Sequence, residues 1–263
     1  NRLKKSKEFL SQDGRDIPVG FTDEDIDLNA PALHSDIFYL YYLRNGIKIG
    51  LNLVSTALCM CTRLDVLEFF QQEIHTTTAF WNKVARVMLE KGILVRPPFI
   101  ETEVKSDYVE DKQEFLGSYW GKDNRPLLSM EVEQLFYGII TNEVGKTLLT
   151  GFHQVTPSKP MRDYIERGIA IATDMIEDFG MKLLDSGITA PSHWEAYGAV
   201  SRSTTPPFSD KLMMFHINVL NSIGLANYAV SAGSTFRKDL ILMYGRYLAQ
   251  VAKYAEDGIK LAI

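Results

Sequence analysis

Part of this chain occurs twice. Ser35-Asp36-Ile37-Phe38-Tyr39 opens a stretch that runs to about Gly92, and Ser209-Asp210-Lys211-Leu212-Met213 opens a second that runs to Ile263. The offset is a constant 174 (209 minus 35), and without a gap it pairs Gly50 with Gly224, Arg63 with Arg237, Asp65 with Asp239 and Phe70 with Tyr244. Self-similarity at a fixed period means that one supersecondary unit has been used twice, so whatever fold the first copy adopts the second should adopt too.

The apolar spacing inside the copies is helical. From Ser35, the residues Phe38, Tyr42, Ile49, Leu53, Thr56 and Met60 fall on one face at steps of three, four and seven. A turn at Arg63-Leu64-Asp65 separates them from a second stripe, Val66, Phe70, Ile74, Thr77, Trp81, Val84 and Met88, which Gly92 and Pro97-Pro98 close. A further hairpin is predicted from Met130 to Val155 and from Met161 to Leu184, with Pro157 and Pro160 marking the turn between them. Within each hairpin the connection is tight. By contrast Arg15 to His34, and Gly187 to Phe208, are connections of about 20 residues, enough to run back along a whole helix.

Tight, long, tight is the loop pattern of a four-helix bundle with one crossover, the ferritin-like arrangement. The expected fold class is therefore all-α, with two tandem ferritin-like four-helix bundles. Residues 1–98 form the C-terminal part of the first, 99–129 a polar linker, and 130–263 the second. In the linker Phe115, Tyr119 and Trp120 are expected to pack partly against a bundle. Upstream of the crossover the offset becomes 173 (187 minus 14), pairing Leu3 with Ile176 and Leu10 with Leu183. The first bundle then lacks its N-terminal helices in this chain, and roughly 45 residues are expected before Asn1 if the repeat is complete.

Composition removes several classes of function. A net charge of -5 leaves no electrostatic footprint for nucleic acid, and the basic cluster at Arg2, Lys4, Lys5 and Lys7 is too small to make one. The most apolar stretch, Ile37 to Cys61, is interrupted by Arg44, Asn45, Lys48 and Asn52, so no membrane span is expected. Cys59 and Cys61 are two apart on a helix and diverge, which favours a reducing compartment over secretion.

Ile17-Pro18-Val19-Gly20-Phe21-Thr22-Asp23-Glu24-Asp25, Ser35-Asp36-Ile37-Phe38-Tyr39-Leu40-Tyr41-Tyr42-Leu43, Arg96-Pro97-Pro98, and Pro207-Phe208-Ser209-Asp210-Lys211-Leu212-Met213-Met214-Phe215-His216 are the residues that carry a family resemblance. Over essentially the whole chain the sequence resembles an uncharacterised family of spore-forming Bacillus relatives. Its members resemble tandem ferritin-like bundles and are loosely labelled as similar to spore coat proteins. The resemblance implies a cytoplasmic or spore-associated protein and a longer N-terminal region. It implies no activity.

A carboxylate-bridged di-metal site needs two Glu-x-x-His pairs and a Glu from each of two other helices. Three residues before His34, His75, His153, His193 and His216 stand Pro31, Gln72, Thr150, Ala190 and Met213, so that signature is absent. Glu143, inside the apolar stripe of its helix, and His216, near the stripe of another, are the remaining metal candidates. Helical rise separates them by about 10 Å along the axis, which makes them poor partners. No cofactor is expected, with iron or manganese on these two residues as the alternative. Tyr42 stands where the second copy has His216, and Glu73 where it has Tyr247, so the copies share no polar site. Glu73 is read as half-buried and His75 as surface. Gly145-Lys146-Thr147 lacks the first glycine and the strand of a phosphate-binding loop. Gly46, Gly50, Gly145 and Gly151 are read as places where helices approach closely, and the tyrosines at 39, 41, 42, 244, 247 and 254 as core.

The expectation for function is a non-catalytic helical protein with a structural or interaction role in sporulation or the spore, through a protein partner or self-association. The alternatives are a degenerate ferritin-like metal-binding protein or oxidase, and a carrier of a small apolar ligand.

Overall fold

A computed structural model describes residues 2–100, 108–119, 124–191 and 200–262. The helices are α1 (Arg2–Gln12), α2 (Asp36–Met60), α3 (Leu64–Glu90), α4 (Lys112–Leu116), α5 (Ser129–Val155), α6 (Lys159–Leu184), α7 (Asp210–Gly233) and α8 (Lys238–Ala262), and the fold is all-α. The caps explain where they start. Ser35 Oγ accepts from the Phe38 amide at 3.2 Å and Ser209 Oγ from the Leu212 amide at 3.1 Å, each satisfying a donor that a helix N-terminus leaves open. They end by equally local means. Gly14 and Gly187 take φ of 63° and 73°, a left-handed conformation that costs a residue with a Cβ. That bend lets the Arg15 amide reach Leu10 O at 2.8 Å and the Ile188 amide reach Leu183 O at 2.9 Å.

The helices pack as antiparallel hairpins, α2 with α3, α5 with α6 and α7 with α8. The last two hairpins join into one bundle. At opposite ends of the α5–α7 seam Thr156 Oγ1 donates to Asp210 at 2.8 Å and Ser231 Oγ donates to Gln134 at 2.9 Å, so these helices are antiparallel. Tyr164 with the Tyr254 carbonyl, and Lys182 with Asp239, hold α6 antiparallel to α8. The α6–α7 connection must therefore cross the full length of the bundle. In the first half, α1 lies antiparallel to α3: Asp13 pairs with Arg63 at 2.6 Å, the Phe9 and Phe69 rings meet edge to face, and Arg2 reaches Glu73 and Thr77.

Two apolar clusters fill the interior. One, at the α5 N-terminal end, gathers Leu135, Ile139, Phe179, Leu240, Tyr244 and Tyr247. The other joins Phe136, Val144, Ile165 and Met213 to Leu33, Phe38, Tyr41, Val84 and Met88 from the first half. The α2 stripe is covered only in part: Phe38 is buried, but Leu53 is 63% and Met60 80% exposed. Within 99–129, Phe115 packs against Phe236 at 5.8 Å and Lys238 sits over Tyr119, while Trp120 lies outside the described residues.

Positions 174 apart make the same local bonds. Arg63 holds Asp65 with two hydrogen bonds, at 3.0 and 2.7 Å, and Arg237 holds Asp239 likewise, at 3.0 and 2.9 Å. They also exchange partners across the two halves. The Asp27 amide donates to Pro207 O at 2.9 Å, and the Ser201 amide donates to Leu33 O at 2.8 Å. Adding the offset to 27 and 33 gives 201 and 207, so the second bond is the first with the halves interchanged. The isolated bridges Ile26–Phe208 and His34–Val200 obey the same rule. Residue i meeting j while j meets i is the signature of a two-fold interface.

Candidate functional site

The glycines build the candidate site. At Gly151 the close-approach reading holds, since a Cβ there would collide with the His34 ring. At Gly46 and Gly145 it fails, because a Cβ at either would meet nothing within 4 Å. Together with Gly224 these two residues line a cavity of about 250 Å³ between α2, α5 and α7, which reaches Gly168 and Met175 on α6 and Val251 on α8. Side chains are missing on three facing helices, and the space they leave is the cavity.

Among the described residues its lining contains no Asp, Glu, Lys or Arg. The polar groups there are neutral, and most are hydrogen-bonded either to one another or to residues just behind the wall. Tyr228 donates to Asn142 Oδ1 at 3.0 Å, and Asn142 Nδ2 to Gly138 O at 2.8 Å. Asn221 Nδ2 donates to the Tyr164 hydroxyl at 3.1 Å. The Tyr164 and Tyr254 rings stack at 4.2 Å with 6° between their planes. Tyr254 is 5% exposed, and its hydroxyl, held over Gly168 and beside the Tyr164 side chain, makes no well-aligned hydrogen bond among the described residues. Burial pushes that hydroxyl strongly up, so it stays protonated and able to donate.

At the other end of the cavity the Tyr42 hydroxyl and His216 Nε2 share a hydrogen bond of 2.6 Å. These are equivalent positions of the two copies, 174 apart, brought face to face. The sequence reading that the copies share no polar site treated them separately; the two residues form one site between the copies. Burial lowers the His216 imidazole below its ordinary value and raises the Tyr42 hydroxyl, so at neutral pH the pair is uncharged.

Glu143 is completely buried on α5. It does not line the cavity, although its neighbours Asn142 and Val144 do. His216 lies at the level of Phe152, with ring centroids 6.4 Å apart, and nine residues of α5 from Glu143 to Phe152 span about 13 Å. The structure thus sets the two metal candidates at different heights. Among the described residues no three His, Cys, Asp or Glu side chains converge on one point. Glu73 is more buried than expected, paired with Arg2, and His75 is exposed. Of the tyrosines read as core, Tyr41, Tyr244, Tyr247 and Tyr254 are core, and Tyr254 also lines the cavity together with the half-buried Tyr42.

Sequence reasoning also missed the polar clamp at the start of α5. Glu131 accepts two hydrogen bonds from the Arg125 guanidinium, at 2.8 and 2.9 Å, one from the Leu128 amide, and three from Thr235, Phe236 and Arg237 in the α7–α8 turn. Its signal in the sequence was a Glu at the third helical position.

The family described as "Protein of unknown function (DUF3231)" matches residues 1–105 and 116–263. The chain belongs to that family. Comparison with curated proteins gives no match. Among solved structures, the DUF3231 chain is similar to a crystal structure described as a "putative spore coat protein" from Bacillus halodurans C-125, with a TM-score of 0.50 and 19% identity. The similarity covers 54% of this chain and 91% of the other, so the neighbour corresponds to about half of the DUF3231 chain. At that identity the likeness is one of fold. Among the described residues no helix is long and apolar enough to cross a membrane.

Proposed function

We propose that this DUF3231 protein is a non-catalytic helical scaffold with a structural or interaction role in sporulation or the spore. On this reading it is two related ferritin-like units, residues 1–98 and 130–263, locked together as an internal dimer. The observation that carries it is the partner exchange between the halves, in the crossovers and at Tyr42–His216. An interface of that kind fixes two helical units as one rigid block. Within the second unit Glu131 ties the start of α5 to the α7–α8 turn and Asp239 ties α8 to Lys182 on α6, which stiffens that half of the block. The fold shared with the Bacillus halodurans protein supports placement at the spore.

The test is to express a fluorescent fusion in a sporulating Bacillus host, then purify and extract the spores. The protein is expected in the spore surface layers. Recovery from the mother-cell cytosol alone, with none on purified spores, would overturn the spore assignment. Elemental analysis after incubation with Fe(II) or Mn(II) tests the competing reading. Stoichiometric metal that disappears in Glu143→Ala would replace the scaffold with a metal-binding protein using Glu143 and His216.

A further inference from the structure

The geometry points to the cavity between α2, α5 and α7 as a binding site for a small uncharged molecule with an apolar body and one hydrogen-bond acceptor, held by the Tyr254 hydroxyl. This goes beyond the scaffold reading and does not depend on it.

Three independent observations carry the assignment. The first is how the space arises. Three glycines on facing helices, Gly46, Gly145 and Gly224, border it, and two of them have room for a Cβ. Cores are otherwise packed with few voids larger than a water molecule. Benzene fills an engineered apolar cavity of about 150 Å³, so 250 Å³ takes a bicyclic aromatic or a short branched chain.

The second is the Tyr254 hydroxyl. A buried hydroxyl short of partners is costly to keep, and the Tyr254 hydroxyl, beside the Tyr164 side chain, makes no well-aligned hydrogen bond to a described residue. A ligand oxygen placed in the cavity would remove that cost. The third is the lining's chemistry. Ile49, Val144, Met175, Leu220 and Val251 supply apolar wall, and among the described residues no ionised group faces inward. A carboxylate or ammonium would lose its hydration with nothing to replace it, so charged molecules are excluded. The cavity opens between α2 and α7, where the lining residues Gly46 and Val219 are exposed.

The probe is 1-naphthol, titrated into the full chain by calorimetry beside naphthalene, which lacks the hydroxyl, and 1-naphthoate, which carries a charge. We expect 1-naphthol to bind at one site, more tightly than naphthalene, and 1-naphthoate not to bind. Gly145→Leu projects a side chain into the cavity and should weaken 1-naphthol at least tenfold. Gly46→Leu on the facing helix should do the same, and serves if the first variant does not fold. Tyr254→Phe should bring 1-naphthol and naphthalene to within about twofold of each other. The assignment is overturned if 1-naphthol does not bind up to its solubility, if both glycine variants bind as wild type does while remaining folded by circular dichroism, or if 1-naphthoate binds equally well. Unchanged preference for 1-naphthol in Tyr254→Phe would overturn the role of the hydroxyl.

Discussion

His34 shows how a single residue can join the two halves and set a pH limit on the joint. It precedes α2, stacks on Phe38 at 4.1 Å, and shares a hydrogen bond of 3.2 Å between Nε2 and the Thr147 carbonyl on α5. Only a glycine at 151 admits its ring. Burial pushes the imidazole down to about 4, more than the bond to Thr147 restores. The folded state therefore holds His34 neutral at a pH where the unfolded chain, at an ordinary value near 6.5, takes up a proton. Stability from this residue is full above pH 6.5 and is lost as pH falls toward 4, on the order of 3 kcal/mol in total. Urea denaturation of wild type and His34→Gln at pH 7 and pH 4.5 measures it. The gap between the two pH values should shrink in the variant, and an unchanged gap would assign the loss to other groups, His216 first among them.

At the scale of elements, Glu131 ties the first turn of α5 to the α7–α8 turn. Burial by itself would raise its carboxyl, but the Arg125 guanidinium, the Thr235 hydroxyl and the amides of Leu128 and Phe236 hold it down to about 2. Its contribution is therefore present above the ordinary value near 4.5 and disappears as pH falls below it. Glu131→Gln leaves Arg125 without its anion in a mostly buried site and should cost about 3 kcal/mol at pH 7. Equilibrium denaturation decides this, and a change under about 1 kcal/mol would show that solvent screens the pair. Elements of this kind were only partly legible in the sequence. Helix starts at Ser35 and Ser209 and stops at Gly14 and Gly187 could be read because their hydrogen bonds span three to five residues. The six bonds to Glu131 could not, since all five of its donor residues lie outside its own helix and three of them are about a hundred positions away. The cavity was illegible for a related reason. A glycine serves close packing or leaves space according to what faces it, and only the tertiary structure shows that His34 faces Gly151 while nothing fills the space at Gly145.

For the whole molecule, the repeat was plain in the sequence but its use was not. A constant offset pairs positions of the two halves, and only the bonds Asp27–Pro207 and Ser201–Leu33 show that paired positions exchange partners across them. The boundaries proposed for the two units, 1–98 and 130–263, can be tested on that basis. The first unit supplies Leu33, Phe38 and Met88, each at most 1% exposed, to the cluster it shares with α5, α6 and α7. Burying each of those side chains is worth about 2 kcal/mol, and a fragment 130–263 would present that surface to water. We expect it to remain helical by circular dichroism, to melt well below the full chain, and to self-associate in analytical ultracentrifugation through the exposed patch. Adding fragment 1–98 should convert it to a 1:1 complex and recover most of the lost stability, because the interface needs no covalent link to form its reciprocal bonds. Mutation to Gly at both Leu33 and Phe38 should abolish that recovery. If instead fragment 130–263 is monomeric and melts with the full chain, the second unit is stable alone and the partner exchange contributes geometry without stability.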